Sequence, residues 1–230
     1  MGTDDDRNDL TKRDLRNTNP KPGDPSSKNS LPDWNNLYND MDVEDMPWYL
    51  PDLDPDLREA LSKYQIDSGS FLDVGTGPGT QAIALSKMGF EVVGVDISSV
   101  AIEKAQKMNE KVVFLQDDIL NTRINQKFNS IFDRGCFHII DEDKRPLYIS
   151  EILKLLTPEG MLFLKCFSDK NPDTGYGPYH FSRSLIESLF SERFAILEIK
   201  DSVYQNKSTH DNQTLFVIMK KKKDNYIYKQ

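Results

Sequence analysis

Short apolar segments alternate with amphipathic ones along most of this 230-residue chain. The apolar segments have the β-branched and aromatic composition of strands, and the amphipathic ones have helical periodicity. Strands are predicted at residues 70–73, 91–96, 112–115, 128–132, 161–167, 194–199 and 214–219, and helices over 80–88, 101–108, 149–156 and 182–190. Such alternation predicts an α/β fold with a doubly wound, mostly parallel seven-stranded sheet and helices on both faces. No clear helix separates the last two strands, which predicts an antiparallel edge strand at the C-terminal end.

A glycine-rich loop follows the first predicted strand. Residues 73–80 read Asp-Val-Gly-Thr-Gly-Pro-Gly-Thr, so Gly75, Gly77 and Gly79 recur at every second position. Glycines let a backbone turn sharply and approach a ligand, and the next helix presents free N–H groups. In a doubly wound sheet, ligands bind at the carboxyl ends of the strands, where this loop lies. Taken alone, the loop is equally compatible with a tight strand-to-helix turn.

An acid at the end of the second strand makes the ligand interpretation more specific. Asp96 lies 21 residues after Gly75, where a carboxylate can accept both hydroxyls of a ribose. Position 80 is Thr, so the dinucleotide fingerprint is incomplete, and no Gly-Lys-Ser/Thr run is present. Asp73 beside the loop suits a ligand with a positive amino group better than one with two phosphates. The sequence therefore predicts a nucleoside ligand that carries a cation.

The run Leu-Asp-Val-Gly-Thr-Gly-Pro-Gly at 72–79 and the run Val-Gly-Val-Asp-Ile-Ser at 93–98 resemble the class I S-adenosylmethionine-dependent methyltransferases. The resemblance extends from about residue 46 to 219 and implies the Rossmann-like methyltransferase fold with S-adenosyl-L-methionine as cofactor and S-adenosyl-L-homocysteine as product. It implies that the loop of Gly75, Thr76, Gly77 and Gly79 wraps the amino acid end, with Asp73 near the ammonium. It also implies Asp96 on the ribose, Ile97 against the adenine face, and Asp118 with Ile119 at the adenine amino group. Asp117 is the alternative to Asp118.

The chain after the fourth predicted strand bears on the methyl acceptor. Residues 128–135 and 143–146 are similar to the thiopurine, thiol and halide methyltransferases and their tellurite-resistance relatives. The Met-Pro-Trp run at 46–48 resembles the Pro-Trp segment that lies over the cofactor in that group. The Pro-Pro pair typical of enzymes that methylate nucleobase amino groups is missing here. The resemblance implies transfer to a small-molecule nucleophile, a thiol, a thiopurine or a related soft acceptor. The alternative is a same-fold enzyme acting on a protein or another macromolecule.

The catalytic candidates are Asp133, Arg134 and His138, and each has a structural alternative. Asp133 either contacts the reacting groups or bonds to the loop backbone. Arg134 either anchors an anionic substrate or pairs with Asp133, Asp141 or Glu142. His138 is either a general base or simply hydrogen-bonded, and a base is required only if the acceptor carries a proton at pH 7. Trp48 is either a lid over the sulfonium, since aromatic faces favour cations, or a core residue.

The stretch from 169 to 178 and the residues just after it should overhang the pocket and set the substrate shape. The aromatic and histidine side chains expected there are Tyr176, Tyr179, His180 and Phe181.

Composition limits the remaining possibilities. With 37 acids, 29 bases and a formal charge of -8, nucleic acid is a poor candidate partner. Cys136 and Cys166 are too few for a disulfide scaffold, and the three histidines are scattered, so no metal site is predicted. No signal segment and no membrane-spanning apolar run are found, which predicts a cytoplasmic protein.

Residues 1–45 are predicted to be a disordered polar tail, whose last part contains three apolar side chains that could dock onto the domain. Residues 46–230 are predicted to form the methyltransferase domain.

Overall fold

The computed structural model describes residues 33–172, 178–205 and 212–223. Its strands are β1 (Ser70–Val74), β2 (Glu91–Asp96), β3 (Val113–Gln116), β4 (Phe128–Arg134), β5 (Leu156–Phe167), β6 (Phe194–Val203) and β7 (Gln213–Lys221). Its α-helices are α1 (Trp34–Asp40), α2 (Pro55–Lys63), α3 (Thr80–Lys87), α4 (Ser99–Met108), α5 (Arg145–Leu155) and α6 (Arg183–Phe190). Single 3-10 turns lie at Val43–Asp45, Ile119–Asn121, Phe137–Ile139 and Glu142–Lys144.

The strands of the described chain form one sheet in the order β3-β2-β1-β4-β5-β7-β6. Strands β1 to β5 run parallel, while β7 is antiparallel to both β5 and β6. The predicted fold class is confirmed, and the structure adds that the antiparallel strand β7 lies one place inside the edge, which β6 forms. The strand order reverses between β1 and β4. A ligand crevice is therefore expected above the carboxyl ends of these two strands.

Neighbouring residues of the central strands face opposite sides of the sheet, because side chains alternate along a strand. Phe71 of β1 packs in a core that includes side chains of α2, α3 and α4. Leu72 packs in the core on the other face, with side chains of α5 and α6. Helices thus cover both faces, as the near-continuous apolar strands require.

The N-terminal part of the described chain differs from the expected tail that ends at residue 45. Asp33 caps α1 by accepting from the backbone N–H of Asn36, and Tyr38 of this helix is 5% exposed. Ser98 Oγ donates to Asn35 at 2.8 Å, and Lys104 Nζ donates to the Met41 carbonyl at 2.7 Å. Apolar side chains and these polar contacts together hold residues 33–45 against α4. Residues 1–32 lie outside the described residues.

Helix α2 was also not predicted, although its start carries a recognisable signal. Asp54 accepts a hydrogen bond from the backbone N–H of Asp56, and Pro55 occupies the first helical position. An acidic cap followed by proline is a common helix start. Within the described ranges, no helix is both long and apolar enough to cross a membrane.

Candidate active site

A cavity of about 410 Å³ opens at the carboxyl ends of the parallel strands. Its walls come from the residues that end or follow β1, β2, β3, β4, β5 and β6, together with the segment before α2. The side chains that line it include Trp34, Tyr38, Trp48, Asp96, Ile97, Asp117, Asp118, Ile119, Arg134, His138, Asp141, Phe167 and Tyr204. The cavity lies where the strand order predicts a ligand site.

The glycine loop connects β1 to α3 through left-handed backbone. Gly75, Gly77 and Gly79 have φ values of 64°, 53° and 81°. A Cβ atom at Gly77 would lie 2.8 Å from the Tyr38 hydroxyl, and one at Gly79 would lie 2.6 Å from Phe114. Only glycine suits both the backbone angle and the close packing at these positions. Gly75 itself lines the cavity.

Asp96 joins the end of β2 to the glycine loop. Its Oδ2 accepts a 2.9 Å hydrogen bond from the backbone N–H of Gly77, and its Oδ1 accepts one of 2.9 Å from Ser98. Burial raises the pKa of Asp96, and these backbone donors counteract that rise. Ile97, the next residue, is 53% exposed on the cavity wall. The acid and the apolar face predicted for a nucleoside are thus adjacent.

Asp73 lies beneath the loop and is not among the lining residues. Its carboxylate accepts a 2.5 Å hydrogen bond from Thr76 Oγ1, and the side chain is 2% exposed. Burial raises the pKa of Asp73 to about 7. The side chains of Asp73 and Thr76 are therefore engaged in holding the loop. The structure does not bring the Asp73 carboxyl to the cavity wall, where the ammonium of the cofactor was expected.

The two adjacent acids after β3, Asp117 and Asp118, differ in how far their carboxylate oxygens are available to accept hydrogen bonds from a ligand. Asp117 is buried and accepts from Thr122 Oγ1 and from the backbone N–H of Arg123. Asp118 is exposed, and its Oδ1 accepts from the backbone N–H of Leu120. Because Asp118 lines the cavity and its other oxygen has no hydrogen-bond partner among the described residues, it is the better placed of the two to receive a ligand donor. Ile119 lines the cavity beside it.

Asp133 faces the protein interior, contrary to the expected catalytic contact. The carboxylate is fully buried and accepts from the backbone N–H groups of Gly135, Cys136 and Phe137. It also accepts a 2.6 Å hydrogen bond from the Tyr148 hydroxyl. Burial raises its pKa to about 6. These contacts match the structural alternative, in which Asp133 holds the loop that follows β4.

Arg134 lines the cavity, but its ion-pair partner is none of the nearby acids considered from the sequence. Nε donates to Asp54 Oδ2 at 2.9 Å, and Nη1 donates to the Trp48 carbonyl at 2.9 Å. The guanidinium carbon lies 4.9 Å from the centre of the Tyr204 ring. Its third nitrogen, Nη2, is buried and has no hydrogen-bond partner among the described residues.

Beneath Arg134 lies a buried ion-pair network that the sequence analysis missed. Lys165 of β5 is fully buried and donates to Asp54 at 2.9 Å and to Asp56 at 2.7 Å. Burial alone would raise the pKa of Asp56, but hydrogen bonds from Lys165 and Ser202 leave it below the usual value. A lysine within the otherwise apolar predicted strand 161–167 was the available signal, since a lysine is rarely buried without a partner.

His138 lines the cavity and is neutral. Its Nδ1 accepts a 3.3 Å hydrogen bond from the backbone N–H of Phe167, and its ring stacks on that of Phe167 with centres 4.5 Å apart. Burial lowers the pKa of His138 to about 3, and the charges of His180 and Arg134 act in the same direction. Because Nδ1 is the acceptor of this bond, we assign the ring proton to Nε2. This arrangement disfavours the predicted role of general base.

Trp48 stands in an aromatic cluster at the cavity wall. Its ring lies edge-on to Trp34 and Tyr38, with centres 6.4 Å and 5.9 Å apart. Trp34 and Tyr38 were not predicted as site residues, because they fall in the segment expected to be a tail. Aromatic residues within a polar segment were the signal that could have indicated them.

The predicted specificity stretch is only partly described, since residues 173–177, with Tyr176, lie outside the described residues. Tyr179 donates to Asp141 at 3.1 Å, and His180 lies 5.9 Å from the Phe167 ring. Phe181 is fully buried against Phe137 in the core and does not overhang the cavity. In the described ranges, no group of three His, Cys, Asp or Glu residues could hold a metal ion.

The chain is similar to known methyltransferases. A family described as a methyltransferase domain matches residues 71–160. The chain is 30% identical to the probable thiol methyltransferase 2 of Arabidopsis thaliana over 169 residues, which cover 71% of this chain and 73% of the relative. It is 28% identical to thiocyanate methyltransferase 1 of Brassica oleracea over 165 residues, which cover 69% of this chain and 73% of the relative.

A solved structure shares the fold. It belongs to work on the conversion of a disulfide bond into a thioacetal group during echinomycin biosynthesis. The TM-score is 0.71 at 21% identity, over 84% of this chain and 92% of that one. At this identity, the likeness shows the common fold alone.

Proposed function

This chain belongs to the class I S-adenosylmethionine-dependent methyltransferases, and on that premise we propose that it methylates a small-molecule nucleophile, a thiol or a related soft acceptor. The two plant relatives are named for thiol and thiocyanate methylation, which supports this acceptor class. One observation carries the proposal. Around the acceptor part of the cavity, the described acids are held by hydrogen bonds and His138 is neutral, so none of them suits the role of a strong base.

Cofactor binding is the first part of the proposal. S-adenosylmethionine supplies an activated methyl group on a sulfonium. Asp96 and Ile97 line the cavity side by side, and we expect Asp96 to accept the ribose hydroxyls and the exposed face of Ile97 to pack against adenine. Asp118 and Ile119 lie beside them on the same wall. We expect the backbone of Gly75 to Gly79 to hold the amino acid end and Trp48 to cover the sulfonium.

Among the residues that the structure describes, no group at the acceptor side of the cavity suits the role of a strong base. His138 is neutral with its proton on Nε2, and Asp133 is fully engaged behind the wall. Asp141 lines the cavity, but hydrogen bonds from Lys144 and Tyr179 hold its pKa below the usual range. A thiol ionises at a pKa of about 8.5, against about 10.4 for an alkylamine. A thiol therefore reaches its reactive form with the least help.

Calorimetric titration with S-adenosylmethionine and S-adenosylhomocysteine, followed by a methyl-transfer screen, tests this function. The screen should contain thiols, thiopurines, halides, metalloid oxyanions and, as contrast, small amines. We expect cofactor binding and turnover on a thiol that exceeds turnover on any amine. Cofactor binding with turnover only on a protein substrate would favour the macromolecular alternative. Cytoplasmic location also remains a prediction.

A further inference from the structure

Gln81 lies in the first turn of α3, two residues after Gly79 of the glycine loop, and its side chain is buried. Its amide makes three hydrogen bonds to one stretch of backbone. Nε2 donates to the Leu50 carbonyl at 3.2 Å and to the Asp52 carbonyl at 3.0 Å, and Oε1 accepts from the Asp54 N–H at 2.8 Å. Both amide protons and the amide oxygen are therefore used on the same stretch.

That stretch belongs to residues 46–54, which we call the Trp48 segment and which form neither helix nor strand. Among the described residues, no backbone-to-backbone hydrogen bond involves residues 50–53. Arg134 makes a further contact, since its Nη1 donates to the Trp48 carbonyl at 2.9 Å. The carbonyls at 48, 50 and 52 thus accept from side chains of β4 and α3, and Gln81 supplies two of these three bonds.

The Trp48 segment lies against the glycine loop. A Cβ atom at Gly77 would lie 3.8 Å from Trp48 Nε1, and both Gly75 and Trp48 line the cavity. Gln81 belongs to the helix that begins at the last glycine of the loop. Its side chain therefore fixes the position of the Trp48 segment relative to the loop that is expected to hold the cofactor.

The two ends of the Trp48 segment are anchored in another way. Met46 and Leu53 are 3% and 2% exposed, so they are buried in the apolar core whatever holds the residues between them. The middle of the segment supplies Pro47 and Trp48 to the cavity wall. Loss of the amide contacts should therefore release part of the cavity wall while the chain stays folded.

We propose, on the premise of the cofactor site in the function proposed above, that Gln81 is a positioning residue for cofactor binding. Its amide holds the Trp48 segment over the cavity before the cofactor binds, so that Trp48 is already in place to cover the sulfonium. Without this amide, the segment is closed for only a fraction of the time. The apparent dissociation constant of the cofactor then rises by the inverse of that fraction, while the contacts in the closed complex stay the same.

Tryptophan fluorescence reports on the segment directly. The chain has two tryptophans, Trp34 and Trp48, so Trp34→Phe leaves Trp48 as the single fluorophore. Acrylamide quenching of the full chain without cofactor measures how accessible the Trp48 ring is. Adding Gln81→Met to this background should raise the quenching constant about twofold or more, and saturating S-adenosylhomocysteine should restore the lower value. Equal quenching constants without cofactor would overturn the proposal.

Cofactor affinity is the second measurement. Gln81→Met removes all three hydrogen bonds, whereas Gln81→Glu keeps an acceptor for the Asp54 N–H and loses both donors. Calorimetric titration with S-adenosylhomocysteine should show binding weaker by about tenfold or more in each variant. Thermal unfolding shows that each variant is folded at the temperature of the titration. Affinity equal to that of the unmodified chain in both variants would overturn the positioning role.

Asn129→Ala is the matched control. Asn129 Oδ1 accepts from the Ser70 N–H at 3.0 Å and from Ser70 Oγ at 3.1 Å, at the amino-terminal ends of β1 and β4. This variant also removes amide hydrogen bonds, but at the end of the sheet opposite the cavity. It should lower the melting temperature and leave cofactor affinity as it is. Equal weakening of cofactor binding in Asn129→Ala and Gln81→Met would attribute the effect to general stability and refute the proposal.

Turnover distinguishes this proposal from the proposed acceptor. On the acceptor that the screen identifies, Gln81→Met should raise KM for S-adenosylmethionine by about tenfold or more, while kcat at saturating cofactor changes less than about threefold. A lower kcat with unchanged KM would contradict the positioning role. Unmodified affinity in Gln81→Met with turnover on thiols would refute the positioning role alone. Weakened affinity and greater quenching without turnover on any thiol would support the positioning role and refute the acceptor class.

Discussion

Asp54 accepts a 2.9 Å hydrogen bond from Nε of Arg134, which links the residue before α2 to the last residue of β4. The same carboxylate accepts from the buried ammonium of Lys165. Asp54 thereby holds together the segment that carries Trp48, the end of β4 and the carboxyl-terminal part of β5. The cavity wall at the acceptor side depends on this one carboxylate.

Asp54→Asn should destabilise the fold strongly. The substitution leaves Lys165 and Arg134 with too little negative charge in a buried site, and breaking such a pair costs about 3–5 kcal/mol. Urea denaturation gives the free energy of unfolding. Glu59→Gln is the matched control, since Glu59 pairs with Lys200 at the surface and is 65% exposed. Its effect should stay below about 1 kcal/mol, and similar losses in both variants would contradict the role of burial.

Asp96→Ala should abolish most of the affinity for S-adenosylmethionine while the fold persists. Each hydrogen bond to a charged group contributes about 1.5–3 kcal/mol, so loss of two ribose contacts should weaken binding by about 100-fold or more. Calorimetric titration measures this change. Glu91→Ala, at the exposed opposite end of β2, serves as control. Unchanged affinity in Asp96→Ala would mean that the ribose assignment is wrong.

Gly77→Ala should weaken cofactor binding more than Gly89→Ala. Both glycines have positive φ, at 53° and 99°, so alanine strains the backbone at either site by about 1–2 kcal/mol. A Cβ at Gly77 also meets the Tyr38 hydroxyl at 2.8 Å, whereas nothing lies within 4 Å of one at Gly89. Thermal unfolding measures the loss of stability from backbone strain in each variant, and calorimetric titration measures the affinity for the cofactor. Equal cofactor affinity in both variants would show that the close contact is unimportant.

Asp73 should contribute a stability that falls as the pH rises from about 4 to about 7. Burial raises its pKa to about 7, above the value of about 3.9 in an unfolded chain. The folded state therefore binds this proton more tightly than the unfolded chain does. The resulting contribution to the free energy of unfolding is complete below the pKa of the unfolded chain. It is lost as the pH rises through the pKa of the folded state. Asp133, with its pKa raised to about 6, acts in the same direction.

Asp73→Asn should remove this contribution and make the slope of stability against pH more positive, because one such group contributes up to about 1.4 kcal/mol per pH unit. Urea denaturation at several pH values measures the slope. Asp67→Asn, at an exposed position, should leave the slope as it is. If Asp73→Asn shows the slope of the unmodified protein, the buried carboxyl does not titrate as expected.

The fold class, the glycine loop and the adjacency of Asp96 to that loop were predictable from the sequence. Strand and helix periodicities are local, and a glycine with left-handed backbone is recognisable without its neighbours in space. The crossover rules then place the ends of β1 and β2 side by side. The family and its cofactor came instead from the resemblance of the runs at 72–79 and 93–98 to the class I methyltransferases, and that prediction is confirmed.

Only the tertiary structure decided which groups face the acceptor. The partner of Arg134 lies 80 residues away along the chain, and the partners of Lys165 lie 109 and 111 residues away. Whether Asp133 faces the cavity or the loop, and which nitrogen of His138 carries the proton, depends on β5 and α5 packed beside them. Sequence patterns specify the faces of single elements, whereas hydrogen-bond partners and burial arise from the assembly of distant ones.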